Sequence, residues 1–490
     1  MTTALPRLGR ATLDRLDPAQ RPLVDPRSLR PRLVHLGLGA FHRAHQAVYT
    51  ERAAASTGEP WGIAAVAPFA DSAVTAMRDQ DCLYSVTDRA PGALTTRVVG
   101  SIVEALALRP DAARVDALIA DPGVGVVTLT VTEKGYHRRA GTGGLDTAAL
   151  PVAEDLRATG ADGPLGTALG RLAAGIRTRF HGEGAPLTVV SCDNMAGNGP
   201  ALARVVREFV AASGWPDRDA LLSWIDGSVS FPATIVDRIV PATTPEDREL
   251  ASHALGLRDD MPVLGEPYRQ WVLEDSFVSE RPHWEAGGAL FVPDVAPYQL
   301  MKLRLLNGSH SAMAYLGLAA GCRTVADVLA TPWGEGLVRA FGAEVTPALP
   351  EAGLDAAAYV DDLVERFRNP AMHHLLRQIG SDGSLKIPER WLGALRELRA
   401  AGRPTPILET ALAGWVVATR PGADGTPLYG TTDPIGAGLA DCWTGADDRN
   451  PPVAALLRRV GADDLAETAD LTTAVADRVP AVLAGGAAFA

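Results

Sequence analysis

At 490 residues the chain exceeds the roughly 250 to 300 at which a single core stops growing, so two domains are expected. The formal net charge of -12 argues against a general nucleic-acid binder, which needs clustered Lys and Arg. Residues 1–32 lack the apolar core of a secretory signal, and the longest apolar stretch is far shorter than the roughly 20 residues of a membrane span, so we expect a cytoplasmic protein without a membrane partner.

The predicted elements begin with a polar leader over residues 1–30, followed by a buried strand at 32–37, a glycine turn and a helix at 41–55. Further elements are strands at 61–67, 124–131 and 186–191, and helices at 111–120 and 201–212. Strands that alternate with helices predict an α/β fold with a parallel sheet covered on both faces.

Beyond about residue 291 the chain is rich in Ala, Leu and Arg, and helices are predicted at 298–320, 357–367, 391–401 and 407–419. The intervening stretch at 278–289 carries Pro, Trp and two glycines, which favours a domain boundary there. We therefore predict an N-terminal domain over residues 1–285 and a mainly helical domain over 286–490.

The turn after the first strand has the spacing of a nucleotide-binding loop. Gly37 and Gly39 stand where the tight bend and the pyrophosphate require residues without Cβ, and Ala40 and Phe41 begin the helix that would point its N-terminus at the phosphate. His42 replaces the third glycine of the usual pattern, and a plain strand-to-helix turn explains these residues equally well.

The second strand ends without the usual carboxylate for the ribose 2′-hydroxyl, and Asp71 is the nearest candidate. A helix-capping role explains Asp71 at least as well. No arginine between 65 and 71 is available for a 2′-phosphate, so the sequence favours NAD as cofactor and leaves NADP open.

One helical segment, YQLMKLRLLNGSHSAMAYLG at 298–317, mixes polar and apolar residues on one face. At about 100° per residue, Lys302, Asn307 and His310 fall at relative angles of about 0°, 140° and 80°, whereas Arg304 points roughly the other way. A lysine whose pKa is lowered by desolvation can take the proton of a hydroxyl group as hydride leaves the carbon. These residues alone slightly favour a lysine on the helix surface and an ordinary histidine in the core over a catalytic group.

A second polar cluster, SCDNMAGNG at 191–199, follows a predicted buried strand, at the edge where doubly wound sheets bind ligands. Asn194 could complete an oxyanion site with Asn307, although a simple Asn- and Gly-rich turn accounts better for the cluster alone. His35, His42 and His45 invite a metal hypothesis, but no Cys lies nearby and no HExxH-type pattern is present, so we predict no metal.

Taken in order, several motifs resemble the polyol-specific long-chain dehydrogenases, which include mannitol 2-dehydrogenase and fructuronate reductase. The motifs are HLGLGAFHRAHQ, TVTEKGY, SCDNMAGNG, FPATIVDRIVPATTPED, EPYRQWVLED and LMKLRLLNGSH. The resemblance implies an N-terminal Rossmann-type domain, a helical C-terminal domain, a nicotinamide cofactor and no zinc. We also expect a monomer that acts on a sugar alcohol or uronate.

The resemblance also implies roles for individual residues. Lys302 is the expected general base, Asn194 and Asn307 the oxyanion pocket, and His310 a substrate ligand. Asp237, Arg377 and Lys386 are the further expected substrate contacts. Members of the family often carry Glu three residues before the lysine, where this chain has Gln299, so the route by which the proton leaves is open.

The segment QIGSDGSLKIPER at 378–390 looks more like the fructuronate reductase branch, so D-mannonate/D-fructuronate is placed slightly ahead of D-mannitol/D-fructose or arabinitol. A charge-assisted contact from Lys386 or Arg377 would suit a carboxylated substrate. A protein that binds NAD without catalysis and senses redox state is the alternative of another class.

Overall fold

The computed structural model describes residues 5–485, apart from 70, 140, 162–163, 371–373 and 423–424. The chain divides into two compact units, Met1–Val295 and Ala296–Ala490. In the described part, no helix is both long enough and apolar enough to span a membrane.

The described residues of the N-terminal unit form twelve strands in three sheets. The strands are β1 (Arg30–Leu36), β2 (Trp61–Ala67), β3 (Tyr84–Ala90), β4 (Ala93–Val99), β5 (Ile102–Ala107), β6 (Val126–Leu129), β7 (Leu187–Ser191), β8 (Val229–Ser230), β9 (Thr234–Asp237), β10 (Val263–Gly265), β11 (Gln270–Glu274) and β12 (Leu290–Val292). The helices of this unit are α1 (Ala40–Ala44), α2 (Gln46–Thr57), α3 (Asp71–Asp79), α4 (Ala112–Ala120), α5 (Leu150–Thr159), α6 (Ala168–His181), α7 (Asn198–Ala212), α8 (Arg218–Ser228) and α9 (Pro245–Leu255).

Six strands form a parallel sheet in the order β5-β2-β1-β6-β7-β8, the doubly wound Rossmann arrangement. Successive residues of β2 point to opposite faces: Ala64 and Val66 belong to one apolar core, and Ile63, Ala65 and Ala67 to the other. The prediction of a parallel sheet covered on both faces is confirmed.

Two small sheets, in the orders β10-β3-β4 and β12-β11-β9, were not predicted from the sequence. The leader is also ordered where it is described, with short 3-10 turns at Arg10–Arg15, Pro18–Gln20 and Pro26–Ser28.

The C-terminal unit is helical and has one large apolar core. Its elements are α10 (Ala296–Met301), π1 (Lys302–Asn307), α11 (Gly308–Ala319), α12 (Val325–Leu329), α13 (Gly334–Val345), α14 (Ala356–Phe367), α15 (Leu376–Gly380), α16 (Gly383–Ile387), π2 (Pro388–Leu392), α17 (Gly393–Ala400), α18 (Pro406–Ala418), α19 (Gly436–Asp441), α20 (Val453–Arg459), α21 (Asp463–Ala466) and α22 (Ala469–Leu483), in which π denotes a π-helix. The helices predicted at 298–320 and 391–401 are present, and each range contains π-helical residues.

Candidate active site

The glycine turn joins β1 to α1, and its two glycines have different reasons to lack a side chain. Gly37 has φ +137, and an added Cβ would lie 2.6 Å from both the carbonyl oxygen and the hydroxyl oxygen of Thr130. Gly39 precedes Ala40 with φ -69, and beyond its own local backbone an added Cβ there would meet no atom of a described residue within 4 Å. Protein packing thus requires glycine at 37, whereas the space beside Gly39 and the first-turn N–H groups at Ala40 and Phe41 fit a bound pyrophosphate.

The predicted single helix at 41–55 is interrupted at His45. This residue has φ -120 and ψ -88, outside the helical region, and separates α1 from α2. Its Nε2 donates to the carbonyl oxygen of Gln270 at 2.8 Å, which ties the helix break to β11. The interruption therefore depends on a tertiary hydrogen bond that no local pattern encodes.

A stack of buried histidines lies beneath the glycine turn. The His35 ring nitrogens lie 2.6 Å and 2.7 Å from the hydroxyls of Thr128 and Thr130, and the ring stacks on His42 with centroids 3.4 Å apart. Burial lowers the pKa of His35 well below its usual range and that of His42 to about 3, so both rings are neutral. Among the residues described, no cluster of three or more His, Cys, Asp and Glu side chains could hold a metal ion.

The motifs TVTEKGY and SCDNMAGNG meet at the buried carboxylate of Asp193. The carboxylate accepts from the backbone N–H groups of Val131 (3.1 Å) and Thr132 (2.8 Å) and from the Tyr136 hydroxyl (2.8 Å). Thr132 has φ 63 and ψ 162, a region essentially restricted to glycine. Asp193 thus holds a strained turn at the carboxyl end of β6, which is the ligand-binding edge of a parallel sheet.

Two asparagines of SCDNMAGNG have different environments. Asn194, the predicted oxyanion ligand, is exposed. Asn198 is buried, and its amide donates to the Thr234 carbonyl (3.0 Å) while its Oδ1 accepts from the Thr234 N–H (2.9 Å). Asn198 therefore joins this loop to β9 and leaves Asn194 at the surface of the N-terminal unit.

Asp71 and Asp237 also belong to the N-terminal unit. Asp71 is exposed at the start of α3, and its carboxylate accepts no hydrogen bond from a described residue, so it is accessible to a ribose hydroxyl. Asp237 is the buried last residue of β9 and pairs in register with Gln270.

Lys302 is the first residue of π1 and is only 9% exposed. The N–H of Gly308 donates to the carbonyl of Leu303, five residues earlier, as a π-helix requires. In an α-helix Lys302 and Asn307 would point about 140° apart, and the wider π turn brings residues five apart closer to one face. The π-helix therefore aligns the predicted base with Asn307 better than the predicted α-helix would.

Neighbouring side chains support the π segment by binding its backbone carbonyls. The Arg390 guanidinium donates to the carbonyl of Asn307 (3.2 Å) and to the Ser311 hydroxyl (2.8 Å). The Trp391 indole N–H donates to the carbonyl of Gly308 at 3.0 Å. Arg390 and Trp391 both belong to π2, so the two π-helices stabilise each other.

Arg304, predicted to point away from Lys302, is buried rather than solvated. Its guanidinium donates to both carboxylate oxygens of Glu397, at 2.7 Å and 2.6 Å, and to the carbonyl of Ala348. This bidentate pair fixes the opposite face of π1.

His310 follows π1 on α11 and contacts the ring of Phe367, with centroids 4.5 Å apart. Its buried Nε2 has no hydrogen-bond partner among the described residues. Burial, together with the charge of His374, lowers the pKa of His310 well below its usual range. The ring is therefore a neutral hydrogen-bonding group suited to a hydroxyl of a ligand.

The two predicted carboxylate contacts are anchored by backbone carbonyls. The Lys386 ammonium donates to the carbonyls of Ile379 (3.1 Å) and Ser381 (2.7 Å), and burial lowers its pKa. Arg377 is exposed, and its Nε donates to the carbonyl of Gly430. Each side chain keeps further N–H groups for a ligand.

Comparisons with known proteins add a second line of evidence. Residues 31–286 match the model of the mannitol dehydrogenase Rossmann domain, and residues 294–483 match that of the mannitol dehydrogenase C-terminal domain. The chain belongs to the mannitol dehydrogenase family. The predicted resemblance and fold class are confirmed.

Individual proteins of known name match along nearly the whole chain. D-mannonate oxidoreductase of Escherichia coli is 39% identical over 472 residues, which is 94% of each chain. A crystal structure of D-sorbitol dehydrogenase matches with 29% identity and a TM-score of 0.87, covering 98% of this chain and 99% of that one. Mannitol 2-dehydrogenase of Pseudomonas fluorescens, solved with NAD and D-mannitol, matches with 32% identity and a TM-score of 0.74 over 97% and 96%. The chain is therefore an oxidoreductase of this family.

Sequence reasoning missed three residues that organise the site of this mannitol dehydrogenase family member. Hydrogen bonds made by Asp193, Asn198 and Arg390 hold the segments that carry Thr132, Asn194 and Asn307. Asp193 and Asn198 lie in the SCDNMAGNG motif, so polar residues directly after a buried strand were a usable signal. Arg390 had no such signal, because its backbone partner, the carbonyl of Asn307, lies some 80 residues away.

Proposed function

We propose that this protein is an NAD-dependent dehydrogenase that interconverts D-mannonate and D-fructuronate, with Lys302 as the general base. The observation that carries the proposal is a rare buried lysine at the first residue of π1, the π-helix that ends at Asn307 and continues into the helix of His310. Only three of the 46 lysine and arginine residues are lysines, namely Lys134, Lys302 and Lys386. Since arginine cannot release its proton in a protein, a chain that otherwise uses arginine has a reason to keep lysine where a base is needed.

The reaction needs a base at the substrate hydroxyl. In the oxidative direction the amine of Lys302 would take the hydroxyl proton while hydride leaves the same carbon, so that a ketone forms. NAD, when bound at the glycine turn of Gly37 and Gly39, supplies the hydride acceptor. The D-mannitol complex of the Pseudomonas fluorescens relative contains NAD, which supports the choice of cofactor.

The remaining polar residues have roles that match their surroundings. The amides of Asn194 and Asn307 would donate hydrogen bonds to the oxygen as negative charge develops on it. His310, neutral and with a buried Nε2 that no described residue contacts by a hydrogen bond, would bind a neighbouring hydroxyl. Asp237 would accept a hydrogen bond from another hydroxyl of the chain-like substrate.

A carboxylated substrate accounts for Lys386 and Arg377 better than a neutral polyol does. Lys386 donates to two backbone carbonyls and lies 4.0 Å from the Asp382 carboxylate, and its third N–H would be a charge-assisted donor to a substrate carboxylate. The 39% identity to D-mannonate oxidoreductase supports the same substrate class. Oxidation of D-mannitol to D-fructose is the second candidate, favoured by the match to the mannitol 2-dehydrogenase complex.

The test is a comparison of kcat/KM for fructuronate, fructose, mannitol and arabinitol with NAD(H), in the wild type and in Lys386→Met. We expect fructuronate to be the best substrate and Lys386→Met to lose activity on fructuronate alone. Arg396→Met, which removes an exposed cation paired with Asp464 in the same unit, is the matched control and should leave all four values unchanged. If a neutral polyol is best and Lys386→Met affects every substrate equally, mannitol takes the place of mannonate.

A further inference from the structure

The N-terminal unit contains a cavity of about 480 Å³ that shares no residue with the predicted cofactor and substrate contacts. It lies between α2, the β3–β4 hairpin and the turn at Gly287, and four arginines line it: Arg52, Arg97, Arg238 and Arg269. We call it the arginine cavity. Arg52 is exposed, so the cavity opens to solvent.

One of the four arginines is fully engaged by the protein. The buried Arg238 guanidinium pairs with Asp88 and donates to the carbonyls of Glu266 (3.0 Å) and Ala44. Asp88, one of the two acidic residues that line this cavity, therefore forms its ion pair with Arg238.

The other three guanidiniums lack a carboxylate partner within ion-pair distance among the described residues. Arg97 donates only to the carbonyl of Arg21, at 3.3 Å, and Arg269 lies over the Tyr49 ring, 5.8 Å from its centroid. Partial burial and then repulsion from Arg269 lower the pKa of Arg52, as expected when like charges converge.

The second acidic side chain of the cavity, Glu51, offers little compensation. It is buried and accepts a hydrogen bond from the N–H of Gly100 at 3.0 Å. Burial raises its pKa to about 7, so near neutral pH a large share of this carboxyl is uncharged. The cavity therefore carries excess positive charge in a chain whose net charge is -12.

Some arginines outside the cavity are paired with carboxylates. Arg114 makes a bidentate pair with Glu104, with two distances of 2.9 Å, and Arg207 pairs with Asp226 at 2.7 Å. The arginine cavity differs in that Arg52, Arg97 and Arg269, which form no ion pair with a described carboxylate, converge on one space.

We propose that the arginine cavity is a second ligand site, which binds a small organic anion with at least two negative charges on phosphate or carboxylate groups. Guanidinium groups bind both kinds of oxyanion in bidentate fashion, and several together select for more than one charge. The volume lies within the roughly 300–1,000 Å³ of small-molecule sites. Val48, Val86 and Val99 provide apolar walls for the carbon skeleton.

The test uses isothermal titration calorimetry on the full chain at constant ionic strength, with glucose 6-phosphate and citrate as probes. The double variant Arg52→Gln/Arg269→Gln removes two unpaired charges, and Arg114→Gln, which removes a paired arginine outside the cavity, is the matched control. Thermal unfolding without a probe checks the fold: the double variant should be at least as stable as the wild type, because like-charge repulsion is relieved.

We expect saturable binding of at least one probe to the wild type, weakened roughly tenfold or more in the double variant and unchanged in Arg114→Gln. Binding of glucose 6-phosphate alone identifies a phosphate ester as the ligand class, and binding of citrate alone identifies a polycarboxylate. Absence of saturable binding for both probes, or equal affinity of wild type and double variant, would overturn the proposal.

Discussion

The glycine turn permits a test of cofactor binding in which two nearby substitutions should fail in different ways. At Gly37 an alanine would combine φ +137 with a Cβ 2.6 Å from a backbone oxygen. The backbone strain costs about 1–3 kcal/mol, and the clash adds an overpacking cost of about 1–3 kcal/mol. We expect Gly37→Ala to lower the free energy of unfolding by ~3 kcal/mol. Thr130→Ala should not rescue it, because the clashing carbonyl oxygen of Thr130 remains.

Gly39→Ala should instead leave the fold intact. Its φ of -69 suits any residue, and beyond the local backbone no atom of a described residue lies within 4 Å of an added Cβ. If the pyrophosphate of NAD approaches this backbone, the new methyl group obstructs it, and Kd should rise by roughly tenfold, equivalent to about 1.4 kcal/mol.

The assay pairs thermal unfolding with fluorescence titration of NADH for the wild type and both variants. An unchanged melting temperature with weakened NADH binding is expected for Gly39→Ala only. If Gly39→Ala binds NADH as tightly as the wild type, the reasoning about the turn is refuted.

Three further predictions concern positioning, pH and metal. Arg390→Met removes charged donors at 2.8 Å and 3.2 Å, so the free energy of unfolding should fall by ~2 kcal/mol. The kcat should also fall, with the Kd for NADH unchanged, and Arg390→Lys should recover part of the stability and part of kcat. Full kcat in Arg390→Met would contradict the positioning role. Burial raises the pKa of Glu51 from 4.5 to about 7, so the folded state holds this proton more tightly than the unfolded state, and the resulting stability is lost as pH rises through 7. The loss amounts to roughly 3 kcal/mol at about 1.4 kcal/mol per pKa unit. The melting temperature of Glu51→Gln should therefore depend less on pH between pH 5 and 8 than that of the wild type. Parallel profiles of the two proteins would argue against a raised pKa of Glu51. Exhaustive chelation should leave full activity, whereas a loss restored by zinc would overturn the assignment of Lys302 as base.

The parallel sheet was predictable because its signals are local. The predicted strand at 61–67 coincides with β2, since a short, largely apolar run that follows a proline and ends before another is typical of a buried strand. The turn at Gly37 was also predictable from a local signal. The φ of +137 at this residue is favourable only for glycine, so the conformation can be inferred from the glycine in the sequence.

The helix break at His45 and the π-helix at Lys302–Asn307 were not predictable from local patterns. Each depends on a partner distant in the chain, namely the Gln270 carbonyl for His45 and the Arg390 side chain for Asn307. The identity of Lys302, Asn307 and His310 as candidates came from helical periodicity and family resemblance, whereas the π turn between Lys302 and Asn307 is accompanied by a hydrogen bond from the distant Arg390. Arg304 shows the same limit, because its burial depends on Glu397.

The most direct test of Lys302 as the general base is the turnover of Lys302→Ala and Lys302→Arg, measured from pH 6 to 10 with added primary amines. The arginine variant keeps the positive charge but cannot release a proton, so it separates charge from base function. We expect both variants to lose several orders of magnitude in kcat while the Kd for NADH is retained, with partial rescue by a primary amine in Lys302→Ala only. Wild-type oxidation should become faster as pH rises. An active Lys302→Arg with the wild-type pH profile would place the base elsewhere.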